Sequence, residues 1–156
     1  MTGVRGRAGE CGFTLAELVM VAALITILAG IVLPVAKYAV KRRKEAELRL
    51  DLRMMRNAID AYKRLADQGM IQVKIGTEGY PPDLETLVEG VKIVGKTTKH
   101  KFMRRIPRDP MTGEVKWGLR SYQDEPNSTT WGGQDVYDVY SLSDGTAIDG
   151  TKYKDW

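Results

Sequence analysis

The chain has 156 residues and a formal net charge of +4, from 24 lysines and arginines against 20 carboxylates. That is length for one domain of ordinary size, and a charge balance too even to imply nucleic acid as a partner. Its one cysteine, Cys11, excludes an internal disulfide, and no nucleophile–base pair, phosphate-binding loop or cysteine–histidine metal pattern occurs, so an enzyme is not expected.

A short charged leader, residues 1–12 with Arg5 and Arg7, ends at Gly12. The 24 residues from Phe13 to Ala36 then hold only three polar side chains, Thr14, Glu17 and Thr26. At about 1.5 Å per residue they make roughly 36 Å of helix, enough to cross a hydrocarbon core of about 30 Å. The run is too long for a secretory signal, and Cys11 precedes it, which excludes a lipoprotein signal. Glu17 is the anomaly. A carboxylate within a membrane helix costs about 2.5–3.5 kcal/mol on insertion scales and is usually paired, yet the run holds no basic residue. Pro34 lacks an N–H and deprives the Gly30 carbonyl of its helical partner, so the helix is weakest between Gly30 and Pro34, either as a tolerated kink or as a point of flexure. Beyond the run, Lys37, Lys41, Arg42, Arg43 and Lys44 outnumber Arg5 and Arg7, and this count alone places the C-terminal part in the cytoplasm.

The helical pattern continues over residues 37–67 with a new character. Leu48, Leu52, Met55, Ile59, Tyr62 and Ala66 recur at spacings of three and four, one apolar stripe of an amphipathic helix that Gly69 stops. "GYPPDLETLVEG" predicts a short helix with Pro82 at its first position, Leu84, Leu87 and Val88 on one face, and Gly90 as C-terminal cap. "DPMTG" is turn chemistry, with Asp109 leading and Gly113 closing. "VKWGLRSY" and "DVYDVYSL", residues 115–122 and 135–142, predict strands of one small antiparallel sheet, with "QDEPNSTTWGGQ" as the loop between them. The expected fold class is therefore α+β, a long N-terminal helix with a transmembrane half and an amphipathic half, the latter packed on a small C-terminal antiparallel sheet.

The basic group Lys41 to Lys44 suits anionic headgroups, Glu45, Glu47 or Asp51 of neighbouring helices, or plain solvent. "KTTKHKFMRR", with the one histidine, His100, predicts solvated surface. Trp117, Trp131 and Trp156 are expected to anchor core and loops.

Gly12-Phe13-Thr14-Leu15-Ala16-Glu17, set before an apolar helix that runs into an amphipathic one, resembles the G-F-T-L-x-E pattern of the type IV pilin-like superfamily. "YPPDLETLVEG", "RRIPRDPMTGE", "DVYSLSDG" and the final "KYKDW" are most similar to the succession in the major pseudopilins of type II secretion systems; the loop "STTWGGQ" and the short final loop depart from it. The resemblance implies a pilin-like fold and cleavage between Gly12 and Phe13 by a membrane prepilin peptidase that methylates the new Phe13 amine. It implies a homopolymer in which Glu17 of one subunit meets the Phe13 amine of the next, with Pro34 in the same assembling helix. Its implied partners are an inner-membrane assembly platform with a cytoplasmic ATPase, minor pseudopilins and an outer-membrane secretin, and its implied location is the bacterial inner membrane with residues 37–156 in the periplasm. The family's last loop generally holds calcium, which makes Asp144 and Asp149 candidate calcium ligands although no cofactor is required; two carboxylates with nearby carbonyls suit such an ion. A surface-filament type IV pilin and a monomeric membrane-anchored binding module are the alternative functions.

Overall fold

The computed structural model describes residues 12–156, with the backbone alone at 31–34. Residues 1–11 of the leader, with Arg5, Arg7 and Cys11, lie outside the described residues. Helix α1 spans Leu15–Asp67, 53 residues, and its helical backbone is unbroken through Gly30 and Pro34. The Pro34 side chain lies outside what is described, and with it the choice between a tolerated kink and a point of flexure. The chain divides into two compact units, one ending at Val40 and one covering Lys41–Trp156.

In the first unit every described residue is exposed, including Leu18, Val19, Leu24, Ile25, Ile27 and Leu28. This stretch makes α1 long and apolar enough to cross a membrane.

The second unit is α+β. Leu48, Leu52, Met55, Ile59 and Tyr62 of α1 are buried, with Ala66 packed against their cluster, so the periodic stripe is the core face. The helix stops as the glycine predicts: Gly69 takes a positive φ of 67°, its N–H donates to the Ala66 carbonyl (2.9 Å), and Met70 N–H donates to that of Leu65 (3.0 Å). Helix α2, Leu84–Glu89, follows with Leu84 and Leu87 buried. The expected start at Pro82 is corrected by two residues. Asp83 is the N-cap, its Oδ1 accepting from Thr86 N–H at 2.7 Å, because a carboxylate satisfies an orphan amide that proline would only lack. Gly90 closes α2 at φ 80°, and a Cβ there would stand 2.5 Å from the His100 carbonyl oxygen.

That close approach belongs to a pair of strands the sequence pattern did not predict, β1 (Val91–Lys92) and β2 (Lys99–His100), antiparallel to each other. The basic segment around them is not wholly surface: Met103 is buried, and Phe102 N–H and Met103 N–H both donate to the Leu87 carbonyl. The two expected strands do pair antiparallel, as β3 (Gly118–Arg120) and β4 (Asp138–Tyr140), with Leu119 opposite Val139. They are shorter than expected and form a second two-stranded sheet rather than part of one sheet. Side chains end the ladder. Ser121 N–H donates to Asp124 Oδ2 (2.7 Å) and Tyr122 N–H to Asp135 Oδ1 (2.9 Å), so neither amide is left for a partner strand. The chain ends in a single 3₁₀ turn, Tyr153–Asp155.

Candidate functional site

The residues from Gly12 to Glu17 that carry the resemblance fall at the very start of α1. Gly12, Phe13 and Thr14 precede the helix and are exposed, Phe13 to 73%. Thr14 caps it: its Oγ1 accepts from Glu17 N–H at 3.2 Å, and its carbonyl accepts from Leu18 N–H at 3.1 Å. Thr14 and Glu17 thus stand at the N-cap and third helical positions of a Thr-x-x-Glu capping sequence. Glu17 lies in the first turn, where the partial positive charge of the helix end favours a carboxylate by typically 0.3–1 kcal/mol. The anomaly in the sequence therefore has a local origin: the acid sits where a helix tolerates one best. Its side chain is exposed, and among the described residues no lysine or arginine pairs with it. What the site offers is an exposed Phe13 ahead of the helix, a carboxylate one turn away, and an apolar helix surface continuing from both.

A second constellation binds the C-terminal segment to α1, and most of it escaped the sequence reading. Glu45 is buried, and its Oε1 accepts from Ile148 N–H (2.9 Å) and from the Tyr153 hydroxyl (3.0 Å). Burial, then this bond to Glu45, pushes the Tyr153 hydroxyl up to about 12. One turn along, Arg49 reaches Asp149 Oδ2 at 3.2 Å and lies 4.2 Å over the Trp156 ring. Two turns further on, Arg56 donates to Asp138 Oδ1 (2.6 Å), to the Val139 carbonyl (3.1 Å) and to the Trp156 carbonyl (2.9 Å). Glu45, Arg49 and Arg56 recur at spacings of four and seven beside the apolar stripe, a periodicity that hydrophobic patterning alone does not register.

Of the two candidate calcium ligands, Asp149 is held by neighbouring side chains. Asp149 Oδ1 accepts from both the N–H and the hydroxyl of Thr151 (3.0 and 2.6 Å) while Oδ2 faces Arg49. Thr151, chiefly through its hydroxyl, holds this carboxyl below its ordinary value. Asp144 is exposed, and among the described residues no group of three or more His, Cys, Asp or Glu side chains gathers in metal-binding array. The arrangement gives Asp149 a structural role that needs no cation.

The three indoles each have a protein acceptor: Trp117 Nε1 donates to the Pro107 carbonyl (3.0 Å), Trp131 Nε1 to that of Asp135 (2.7 Å) and Trp156 Nε1 to the Thr151 hydroxyl (2.7 Å). Asp135 is buried, and burial raises its carboxyl above the ordinary value. Compared with family models, curated proteins and solved structures, the chain matches none.

Proposed function

We propose that this chain is a structural subunit of a helical filament, most like a major pseudopilin, that drives type II protein secretion across the outer membrane. The observation that carries the reading is the first half of α1, an apolar helix surface whose described residues are all exposed and whose capped first turn carries the Glu17 carboxylate. Lipid covers such a surface before assembly, and the same surface of other subunits covers it afterwards. Cleavage between Gly12 and Phe13 creates an α-amine, whose ordinary pKa of about 7.7–8.0 leaves it substantially protonated near neutral pH. Glu17 of one subunit then meets the Phe13 amine of the next. The two groups lie on different surfaces, and a contact between different surfaces that does not close propagates a helix.

In this reading the leader stays in the cytoplasm, where the peptidase acts, and residues 37–156 lie in the periplasm. The lysine and arginine count favours the reverse orientation, but loop charge is a statistical bias and the processing sequence a specific one. The assembly platform and its ATPase supply the force, minor pseudopilins start the filament, and the secretin is the channel it serves.

Co-expression with a prepilin peptidase is expected to yield a chain that begins at Phe13 and carries one added methyl group, as read by intact-mass spectrometry. The Glu17→Ala variant is expected to be cleaved and inserted but to assemble poorly; normal filaments from it would remove the pairing. Labelling that finds Trp156 on the cytoplasmic side would overturn the orientation. Deleting the gene and comparing secreted proteins with surface filaments separates a secretion role from a surface pilus.

A further inference from the structure

Two four-residue turns of the Lys41–Trp156 unit each carry an apolar side chain at the tip. In the turn from Lys74 to Thr77, Thr77 N–H donates to the Lys74 carbonyl (3.3 Å) and Gly76 has a φ of 88°. In the turn from Ile93 to Lys96, Lys96 N–H donates to the Ile93 carbonyl (3.0 Å) and Gly95 has a φ of 79°. A type II turn requires a positive φ at its third position, and glycine supplies it. Neither turn requires an apolar residue at its second position, yet Ile75 stands there 99% exposed and Val94 66% exposed. The turns are neighbours. Ile71 bridges Ile93, Val94 N–H donates to the Met70 carbonyl (2.8 Å), and Ile75 follows Ile71 by four residues, a reach of at most about 14 Å.

Lysines flank both tips. Lys74 and Lys96 belong to the turns, and Lys92 stands opposite Lys99 in the β1–β2 pair, a like-charged placement that costs stability. All four are exposed, and among the described residues none has a carboxylate within 4.0 Å. The acids nearest in sequence are placed elsewhere. Asp67 is paired with Lys63, the charged neighbours of Glu78 include Lys63 and Asp135, and Asp109 is buried against Ser141. Glu89 precedes β1, whereas the turn follows it.

We propose that these two turns are a contact for a bilayer surface that carries anionic phospholipid headgroups. Ile75 and Val94 enter the interface, the lysine stems lie along its apolar material, and the ammonium groups meet phosphate. A water-soluble polyanion would satisfy the lysines and leave Ile75 and Val94 in water. The turns follow the C-terminal end of α1, roughly 40 Å of helix beyond Lys41. The surface is therefore assigned to an apposed bilayer rather than to the one that the first half of α1 enters. The contact stands apart from the filament reading, since it uses neither the Phe13 amine nor Glu17.

The test holds the full, uncleaved chain in nanodiscs of phosphatidylcholine and adds sucrose-loaded vesicles, which pellet where free discs do not. Vesicles of equal parts phosphatidylcholine and phosphatidylglycerol are expected to carry the chain down, and vesicles of phosphatidylcholine alone to leave it in solution. Each lysine near an anionic surface is worth about fivefold in affinity, so K74Q/K92Q/K96Q/K99Q should weaken the binding by about a hundredfold or more. I75S/V94S should weaken it by about tenfold, and K41Q/R42Q/R43Q/K44Q should leave it unchanged. The positions changed in the first two variants are exposed, so both should melt as the wild-type chain does. Equal pelleting with the two kinds of vesicle overturns the contact, as does no pelleting with the anionic kind. Binding that survives I75S/V94S means that any polyanion suffices, and binding lost only in the Lys41–Lys44 variant belongs to that segment; either result removes the assignment to these turns. Filament assembly is read separately, by Glu17→Ala, and none of these outcomes alters it.

Discussion

The two halves of α1 obey one backbone geometry and opposite rules of burial. Up to Val40 no described side chain is buried, while beyond Lys41 Leu48, Leu52, Met55 and Ile59 are each almost wholly enclosed. A helix gains most of its stability in a protein from what its apolar face meets rather than from its own propensity. The second half finds that partner within its own unit, while the described residues of the first half stay exposed.

Alanine substitution breaks or sharpens this contrast most directly. In detergent-solubilised full chain, Leu52→Ala is expected to lower the unfolding free energy by about 2–5 kcal/mol, since it removes atoms from an enclosed site. Leu24→Ala, 52% exposed, should stay within about 0.5 kcal/mol by the same denaturant titration. Equal losses at the two positions would mean that the first half also packs within the monomer.

Smaller effects probe the ties between α1 and the C-terminal segment. Glu45→Ala leaves the Ile148 amide and the Tyr153 hydroxyl without their acceptor and should cost about 1–3 kcal/mol, with Glu45→Gln retaining part of it. The Tyr153 hydroxyl, raised from 10.0 to about 12, gives a pH signature. Its protonated form is favoured by the fold, so the unfolded chain releases the proton first. Stability should therefore fall as pH rises from about 10 through about 12, and Tyr153→Phe should flatten that limb of the melting curve. The smallest change is expected from Asp149→Asn, whose partners Arg49 and Thr151 are exposed. Its carboxyl is held below 3.8, so its contribution is present above that value and disappears as pH falls. If calcium raises the melting temperature of the wild-type chain but not of Asp149→Asn, the carboxylate has a second role.

Periodicity made the long helix, its buried stripe and the glycine stop legible, because each follows from repeat geometry or from a backbone conformation few residues adopt. The pairing of β3 with β4 was equally legible from β-branched and aromatic content. Strand length was not. Ser121 and Tyr122 look like strand residues, and only the fold reveals that Asp124 and Asp135 take their amides. Glu17 was visible as an oddity, yet its capping partner Thr14 changes what the oddity means. Glu45 was invisible as a buried group, because its two donors lie 103 and 108 residues away and no local signal marks them.

Those separations bear on how the domain is made. Glu45 to Tyr153, Arg49 to Asp149 and Arg56 to Trp156 span 108, 100 and 100 residues. Contacts of such long range slow folding, because the chain between them must be ordered before they form. During synthesis the helix emerges well before the segment that Glu45 and Arg56 hold in place. For most of translation the stripe from Leu48 to Tyr62 lacks its full cover. Such a nascent chain is prone to aggregate and has reason to engage a chaperone until the Tyr153–Asp155 turn arrives.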